Sequence, residues 1–341
     1  MERSAAVAWA INVLCAGLMG LAARQAAADE ITLNIATTTP GDYVVARKIV
    51  TPWADRINQA GAGILHIVPR NGATIAIAAN VFDRVNADVV QMGVGIPGLI
   101  GGRFPLTEVI GLPFMVSDAE KGSVAFWRLY KTGMLDSEYT NFVPLAMSMY
   151  PAQGIHLAKA PAELDDLKGL RLRVASKVSS DAVTLLGGTA LAFDPADIYA
   201  SIQRGVIDGV AMAWTGVHQL SLTEITSFHI EAKFGTTADI IFIARRSYES
   251  LPPAARKLLD DNSGESLSRA LGKLYDDESR DARDPIAASD KHKIAVLSSA
   301  QQQKWADMLK PLIDRWTDGH PGGAKLLATY RTLLAEAEAG P

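Results

Sequence analysis

Residues 164–174 read LDDLKGLRLRV, a short polar turn followed by alternating apolar and basic side chains. This alternation predicts a strand over residues 169–175, because successive side chains of a strand point to opposite faces. One face would carry Leu170, Leu172 and Val174, and the other Arg171, Arg173 and Ala175. Most arginines are solvated, but a guanidinium is also a rigid fork that can bond both oxygens of a carboxylate. Arg173 is therefore a candidate carboxylate ligand, with a solvated arginine as the alternative.

The sequence after this strand predicts a helix and then another strand. Residues 194–209 read DPADIYASIQRGVIDG, in which Asp194 suits the N-cap of a helix and Pro195 its first helical position. Gly205 ends the helix, and residues 206–212 form the next strand. Strand, helix and strand in this order are typical of a parallel α/β sheet.

The rest of the chain continues this alternation of apolar, β-rich runs with helical patterns. Further strands are predicted at 31–37, 64–69 and 88–92, and helices at 43–59, 252–283, 300–316 and 323–339. The fold class is therefore α/β. About 310 residues follow the N-terminal segment, more than one typical domain, so two domains are expected. No flexible linker separates them, which favours several short crossings over a single tether.

Residues 1–28 have the pattern of a cleavable secretory signal peptide. Arg3 precedes an apolar stretch, and Ala26-Ala27-Ala28 supplies the small residues of a cleavage site, so the mature chain would begin at Asp29. A membrane anchor is the alternative interpretation. The only cysteine, Cys15, lies in this segment, so the mature chain would need no disulfide. The predicted location is the periplasm.

Composition and motifs argue against several classes of function. The net charge is −4 at pH 7 and the basic residues are dispersed, which does not suit nucleic-acid binding. The six histidines form no close ligand pair, so no metal site is predicted. Residues 93–98, GVGIPG, match a dinucleotide fingerprint, but Gly101-Gly102 and Pro105 would stop the helix that it requires. No nucleophile–base pair is visible either, so neither an enzyme nor a cofactor is expected.

Taken together, the motifs resemble those of the solute receptors of tripartite ATP-independent periplasmic (TRAP) transporters, of the C4-dicarboxylate-receptor type. The resemblance rests on LDDLKGLRLRV, on DPADIYASIQRGVIDG and on three shorter motifs, Phe104-Pro105, Leu112-Pro113-Phe114 and Leu251-Pro252-Pro253. These motifs occur in the family's order and cover the chain from Ile31 to Trp316.

The resemblance implies a class II-like periplasmic binding protein, in which two α/β lobes enclose a ligand cleft and a long helix crosses both. Lobe I is expected to comprise residues 29–155 and 243–285, and lobe II residues 156–242 and 286–341.

The resemblance also implies a set of ligand-binding residues. Arg173 matches the arginine of the family's K-G-L-x-x-R-V pattern, and Trp214 matches an aromatic wall position. The remaining expected ligand contacts are His156, Thr38, Met212, Ser176, Gly95 and Phe234. Sialic-acid receptors of the family carry an arginine at the position of His156 and an asparagine at that of Met212, so this chain does not match them.

The predicted function is to capture a small organic acid by its carboxylate and to deliver it to TRAP-type permease subunits in the membrane. An apolar, aromatic wall suits a keto acid, an alkyl carboxylate or an aromatic carboxylate. A periplasmic receptor that signals to a sensor kinase is the alternative, because both functions use the same closed state. A monomer without a cofactor is expected, and the sequence leaves open whether a metal ion bridges the ligand.

Overall fold

The computed structural model describes residues 30–116, 118–192 and 195–340. The predicted signal peptide, with Cys15 and the cleavage site, lies outside these residues, as does Asp194, the predicted N-cap. Within the described ranges, no helix is both long and apolar enough to cross a membrane.

The strands form two separate sheets. They are β1 (Ile31–Thr37), β2 (Leu65–Asn71), β3 (Met92–Gly95), β4 (Phe142–Met149), β5 (Gly154–Leu157), β6 (Arg171–Arg173), β7 (Thr189–Leu191), β8 (Gly209–Met212), β9 (Phe228–Glu231), β10 (Ala238–Ala244) and β11 (Lys293–Val296). The first sheet has the order β2-β1-β3-β10-β4 and the second the order β11-β9-β5-β8-β6-β7. We call each sheet with the helices packed on it a lobe.

Helices cover and connect the two sheets. They are α1 (Thr51–Ala60), α2 (Val81–Asn86), α3 (Ala119–Lys131), α4 (Lys177–Leu185), α5 (Ile198–Gln203), α6 (Trp214–Gln219), α7 (Arg245–Ser250), α8 (Pro253–Asp261), α9 (Glu265–Ala287), α10 (Ser299–Gly319) and α11 (Gly323–Ala339). A π-helical turn, Ala46–Val50, precedes α1. The predicted α/β class is confirmed.

In each sheet, several parallel strands end at the same edge. In the first lobe, β1 runs parallel to β2 and β3, and β10 lies antiparallel between β3 and β4. In the second lobe, β6 runs parallel to β7 and β8, which sets Arg173 beside Val210. The carboxyl ends of β1, β3 and β4 therefore share one edge of the first sheet, and those of β6 and β8 share one edge of the second.

The chain crosses between the lobes at two short segments. It leaves the first sheet at Met149 and enters the second at Gly154, and it returns between Glu231 and Ala238. These crossings lie slightly before the predicted boundaries near 155 and 243, because β10 belongs to the first sheet. The domain boundaries as such stay predictions.

Helix α9 connects the lobes a third time. It packs on α3 and β4 in the first lobe and on α6 in the second, so the predicted long helix across both lobes is confirmed. Gly272 allows the close approach to α3, since a Cβ there would lie 2.3 Å from the carbonyl oxygen of Ala119. Helix α10 packs on α4 in the second lobe, whereas α11 packs on α3 in the first.

Several predicted elements differ from the structure. The strands expected at 169–175 and 206–212 are the shorter β6 and β8, and the helix expected at 43–59 is the π-helical turn followed by α1. Two further differences have a local cause. The strand expected at 88–92 begins only at Met92, because Asp88 adopts a left-handed φ of 62° in the turn that follows α2. The helix expected over 252–283 is two helices, α8 and α9, separated at Gly264, whose φ of 84° interrupts the helical backbone.

Candidate ligand-binding site

A cavity of about 160 Å³ is lined by residues of both lobes. First-lobe residues follow the carboxyl ends of their strands: Thr39 and Tyr43 after β1, Ile96 and Leu99 after β3, and Tyr150 after β4. Second-lobe residues do the same, with Arg173 and Ala175 at the end of β6 and Met212 and Ala213 at the end of β8. Ligands of open α/β sheets bind outside the carboxyl ends of strands, so this cavity is the candidate site.

Arg173 is the cationic residue of the cavity. It is the last residue of β6 and only 3% exposed, while the neighbouring Leu172 points into the core. Arg171, two residues earlier, instead forms a two-point ion pair with Asp208, with Nε–Oδ2 and Nη2–Oδ1 distances of 3.0 and 2.9 Å. Among the described lining residues, Arg173 is the only one that carries a formal charge at neutral pH.

The other walls of the cavity are mostly apolar, with polar side chains from the two crossings and from Thr39, Thr215 and Gln219. The apolar and ring surfaces belong to Tyr43, Ile96, Leu99, Tyr150, Met212 and Leu220. Gln153, on the first crossing, donates from Nε2 to Thr237 Oγ1 at 2.8 Å, and its Oε1 accepts from Ser179 Oγ at 3.0 Å. These bonds hold the two crossings and α4 together beside the cavity.

A buried carboxyl group lies behind Tyr150. The ring of Tyr150 packs against Tyr275 of α9, with 4.3 Å between the ring centroids. The Tyr275 hydroxyl donates a hydrogen bond to the Asp239 carboxylate. Burial raises the pKa of Asp239 to about 7, and the hydrogen bond from Tyr275 opposes this rise only in part.

The structure brings Arg173 and Met212 of the expected ligand contacts together in the cavity. Thr38 adjoins the lining residue Thr39 but is not itself among the lining residues. Ser176 caps α4, where its hydroxyl accepts from Ser179 N at 3.1 Å. It lines a separate small cavity with Glu108, whose pKa burial raises to about 7.

Two further expected contacts lie in the core. Gly95 packs against Val81 and Phe82, so that a Cβ at this position would lie 2.9 Å from the Phe82 ring. Phe234 is fully buried against Trp305, with 6.2 Å between the ring centroids. Ligand contact by these residues stays a prediction, and their packing gives it no support.

His156 is the buried end of a chain of three histidines. Its Nε2 lies 3.1 Å from the Met212 carbonyl oxygen, and its Nδ1 lies 3.0 Å from Nδ1 of His229. His229 Nε2 in turn lies 3.2 Å from Nδ1 of the half-buried His292. Both ring nitrogens of His156 are therefore already hydrogen-bonded.

The carbonyl group at the end of this chain fixes the direction of every bond in it. A carbonyl oxygen only accepts, so His156 donates from Nε2 and, when neutral, accepts at Nδ1 from His229. Burial, followed by the charge of its neighbour, lowers the pKa of His156 to about 3 and that of His229 to about 4. Both imidazoles are thus neutral at pH 7. The geometry makes His156 a support for Met212 in the cavity wall.

Trp214 lies beside the histidine chain rather than in the cavity with Arg173. Its ring packs on His156 and His229, with centroid distances of 4.6 and 4.7 Å. Its Nε1 donates to Glu231 Oε1 at 3.3 Å, and Glu231 is ion-paired with Arg283 of α9. Trp214 lines a second cavity, of about 350 Å³, which shares Gln153 with the first. Contact of Trp214 or His156 with a ligand stays a prediction.

Sequence reasoning missed several lining residues, namely Tyr43, Tyr150, Gln153, Thr215 and Thr237. For Tyr43 and Tyr150 a signal was available, since both follow the carboxyl ends of strands. Nothing in the sequence indicates the position of Thr215.

Among residues 30–116, 118–192 and 195–340, no cluster of three or more His, Cys, Asp or Glu side chains could hold a metal ion.

Comparison with known proteins identifies relatives over most of the chain. The sequence profile of the family described as "Bacterial extracellular solute-binding protein, family 7" matches residues 35–318. The protein named "Outer membrane transporter protein TsaT" of Comamonas testosteroni is 24% identical over 302 residues, which cover 85% of this chain and 88% of that protein.

Two solved structures have the same fold. One is a TRAP solute-binding protein from Rhodoferax ferrireducens T118 in complex with copurified benzoate. It is 26% identical with a TM-score of 0.84, and the match covers 91% of this chain and 99% of that chain. The other is a marine metagenome TRAP solute-binding protein specific for aromatic acid ligands, in complex with metahydroxyphenylacetate. It is 25% identical with a TM-score of 0.84, over 91% of this chain and 100% of that chain.

Proposed function

Because the chain belongs to the family 7 extracellular solute-binding proteins, which are TRAP receptors of organic acids and not enzymes, we propose that it captures an aromatic monocarboxylate in the cavity beside Arg173. The guanidinium of Arg173 would bond both carboxylate oxygens. The side chains that follow β3, together with Met212 of β8 and the two tyrosines, would enclose the ring.

The observation that carries this proposal is one buried guanidinium in a ring-sized cavity whose other described lining residues are uncharged. One guanidinium matches one carboxylate, and a second carboxylate would find no further cation among the described lining residues. The volume of about 160 Å³ suits a ring, since a protein cavity of roughly 150 Å³ can hold benzene. The relatives with benzoate and metahydroxyphenylacetate support the same ligand class.

The rest of the proposed role follows from family membership. The receptor would work as a monomer in the periplasm, after removal of residues 1–28, and would deliver the acid to TRAP-type permease subunits. Membership of this transporter family favours delivery over signalling to a sensor kinase.

A thermal-shift screen of the mature chain tests the ligand class. Benzoate, phenylacetate and their hydroxylated derivatives should raise the melting temperature, because a ligand at about 100 times its Kd stabilises the native state by ~2.7 kcal/mol. Benzamide, which has the shape of benzoate without its charge, is the matched control and should give no shift. Stabilisation by succinate or malate, with none by any aromatic acid, would overturn the proposal.

A further inference from the structure

The two lobes touch each other at a seam beside the ligand cavity. The first lobe contributes Pro97-Gly98 and the 3₁₀ turn Thr107–Gly111, and the second contributes Ser176 and Val178. A Cβ at Gly98 would lie 3.1 Å from Cβ of Ser176. Thr237, on the second crossing, lines both the ligand cavity and the small cavity in this seam. Periplasmic binding proteins close around their ligands by hinge motion, so opening of the lobes would separate the seam.

Glu108 brings a carboxyl group into the seam from the first lobe. It is half-buried on the turn Thr107–Gly111, and this turn packs on α4 of the second lobe. The nearby Glu138 carboxylate accepts hydrogen bonds from Thr107 N at 2.9 Å and from Thr107 Oγ1 at 2.6 Å. Among the described residues, none donates a hydrogen bond to the Glu108 carboxyl group. An ionised carboxylate in such surroundings is unfavourable.

The charged groups that face Glu108 do not neutralise it. Lys177 Nζ, on α4, lies 2.6 Å from both carboxylate oxygens of Asp181 on the same helix, so its charge is already matched. Burial raises the pKa of Glu108 to about 7; Lys177 opposes this rise, whereas Asp181 and Glu138 add to it. Strand β10 and helix α11 also pack on the turn, but no charged group of their described residues contributes to this shift.

We propose that Glu108 is a proton-linked latch, whose carboxyl group takes up a proton as the lobes close on a ligand. Ligand affinity therefore falls as the pH rises. In the open state water would solvate the carboxylate and return its pKa towards the usual range. The closed state then holds a proton that the open state releases, so closure becomes less favourable from about pH 4.5 to about pH 7 and changes no further above that.

The latch rests on the proposed function only in requiring a ligand between the lobes, and it does not depend on the class of acid. Its effect is separate from that of Asp239, which has a similar pKa. Asp239 is bonded to Tyr275 of α9 within the first lobe, so it stays buried when the lobes separate.

Calorimetric titration with benzoate, in two buffers of different ionisation enthalpy, counts the protons taken up on binding. Benzoate stays ionised between pH 6 and pH 8, so any proton goes to the protein. Glu108→Gln, which resembles the protonated side chain, is the reference. Relative to this variant, the unsubstituted protein should take up about 0.9 more proton at pH 6 and about 0.1 more at pH 8. Its affinity should fall by up to about tenfold more between these values.

Two substitutions on α4 should move this proton uptake in opposite directions. Asp181→Asn removes a negative charge and leaves Lys177 without its partner, so the Glu108 proton should be taken up only at lower pH. Lys177→Met removes the opposing positive charge, so uptake should extend to higher pH. A merely structural role of Glu108 would give no such pair of opposite shifts.

A cross-link reports closure without any ligand. Gly98→Cys with Ser176→Cys places two Cβ atoms close enough for a disulfide after a small shift, since bridged cysteines have Cβ atoms about 3.5–4.5 Å apart. A chain that begins at Asp29 has no other cysteine. In a glutathione buffer, the fraction cross-linked should fall between pH 6 and pH 8 by up to about tenfold more with Glu108 than with Glu108→Gln.

The inference is overturned if the unsubstituted protein and Glu108→Gln take up the same number of protons with benzoate at pH 6. It is equally overturned if Glu108→Gln leaves the pH dependence of the cross-link unchanged. Failure of the proposed function has a different signature, because no aromatic acid would then bind. The cross-link needs no ligand and would still decide the role of Glu108.

Discussion

At the residue scale, burial sets the charge of the groups that support the cavity. Burial keeps His156 and His229 neutral at pH 7, which preserves the one-directional chain that ends at the Met212 carbonyl. Behind Tyr150, in the first lobe, burial raises the pKa of Asp239 to about 7. An ionised Asp239 therefore costs native-state stability, and this cost depends on pH.

Asp239→Asn should remove that dependence. The folded pKa is raised, so the native state holds a proton that the unfolded state releases above about pH 4. The unsubstituted protein should therefore lose stability from Asp239 as the pH rises from about 4 to about 7, and no more above that. The variant should gain relative stability across this window, by at most ~4 kcal/mol. Urea unfolding at pH 5 and pH 8 measures it, and an equal difference at both values would contradict the account.

At the residue scale, the sequence could indicate the position of a side chain that a strand pattern fixes, but not of one that long-range contacts fix. Alternation along β6 and the family motif both pointed to Arg173, and the structure places this residue in the cavity. The surroundings of Trp214 depend on His229 and Glu231, which belong to β9. No local sequence pattern encodes that packing.

At the element scale, local signals predicted the boundaries of some elements but not of others. Strand β1 and helix α11 begin and end at the residues predicted from apolar periodicity and the adjoining glycines. The break between α8 and α9 was not predicted, because the leucine periodicity continues through it. Tertiary contacts support the break, since Trp53 Nε1 of α1 donates to the Asn262 carbonyl at 2.7 Å.

The packing of α9 on α3 yields a prediction with opposite signs at two helical glycines. Gly272→Ala would force a methyl group against the Ala119 backbone and should destabilise the fold by about 1–3 kcal/mol, as overpacking does. Gly319→Ala, in α10, meets no atom within 4 Å and should stabilise it by up to about 1 kcal/mol through helix propensity. Urea unfolding midpoints report both changes. A neutral Gly272→Ala would mean that α9 does not approach α3 this closely.

At the scale of the whole molecule, the site exists because two sheets present the carboxyl ends of their strands to one cavity. The crossings at Gln153 and Thr237 line that cavity and are hydrogen-bonded to each other, so a ligand would touch both lobes and both crossings. The sequence predicted two lobes from chain length and motif order. The second crossing lies before the predicted boundary near 243, since nothing local shows that the apolar strand β10 belongs to the first sheet.

Calorimetric titration of benzoate into Arg173 variants tests the central claim most directly. Arg173→Lys keeps the charge but loses the fork, so it should weaken binding. Arg173→Met should weaken it further, by ~2–5 kcal/mol, about 30-fold to several thousand-fold. Arg171→Met, on the same strand but paired with Asp208 outside the cavity, is the control and should bind as the unsubstituted protein does. Binding by Arg173→Met within about threefold of the unsubstituted protein would contradict the account, because the carboxylate would then be held elsewhere.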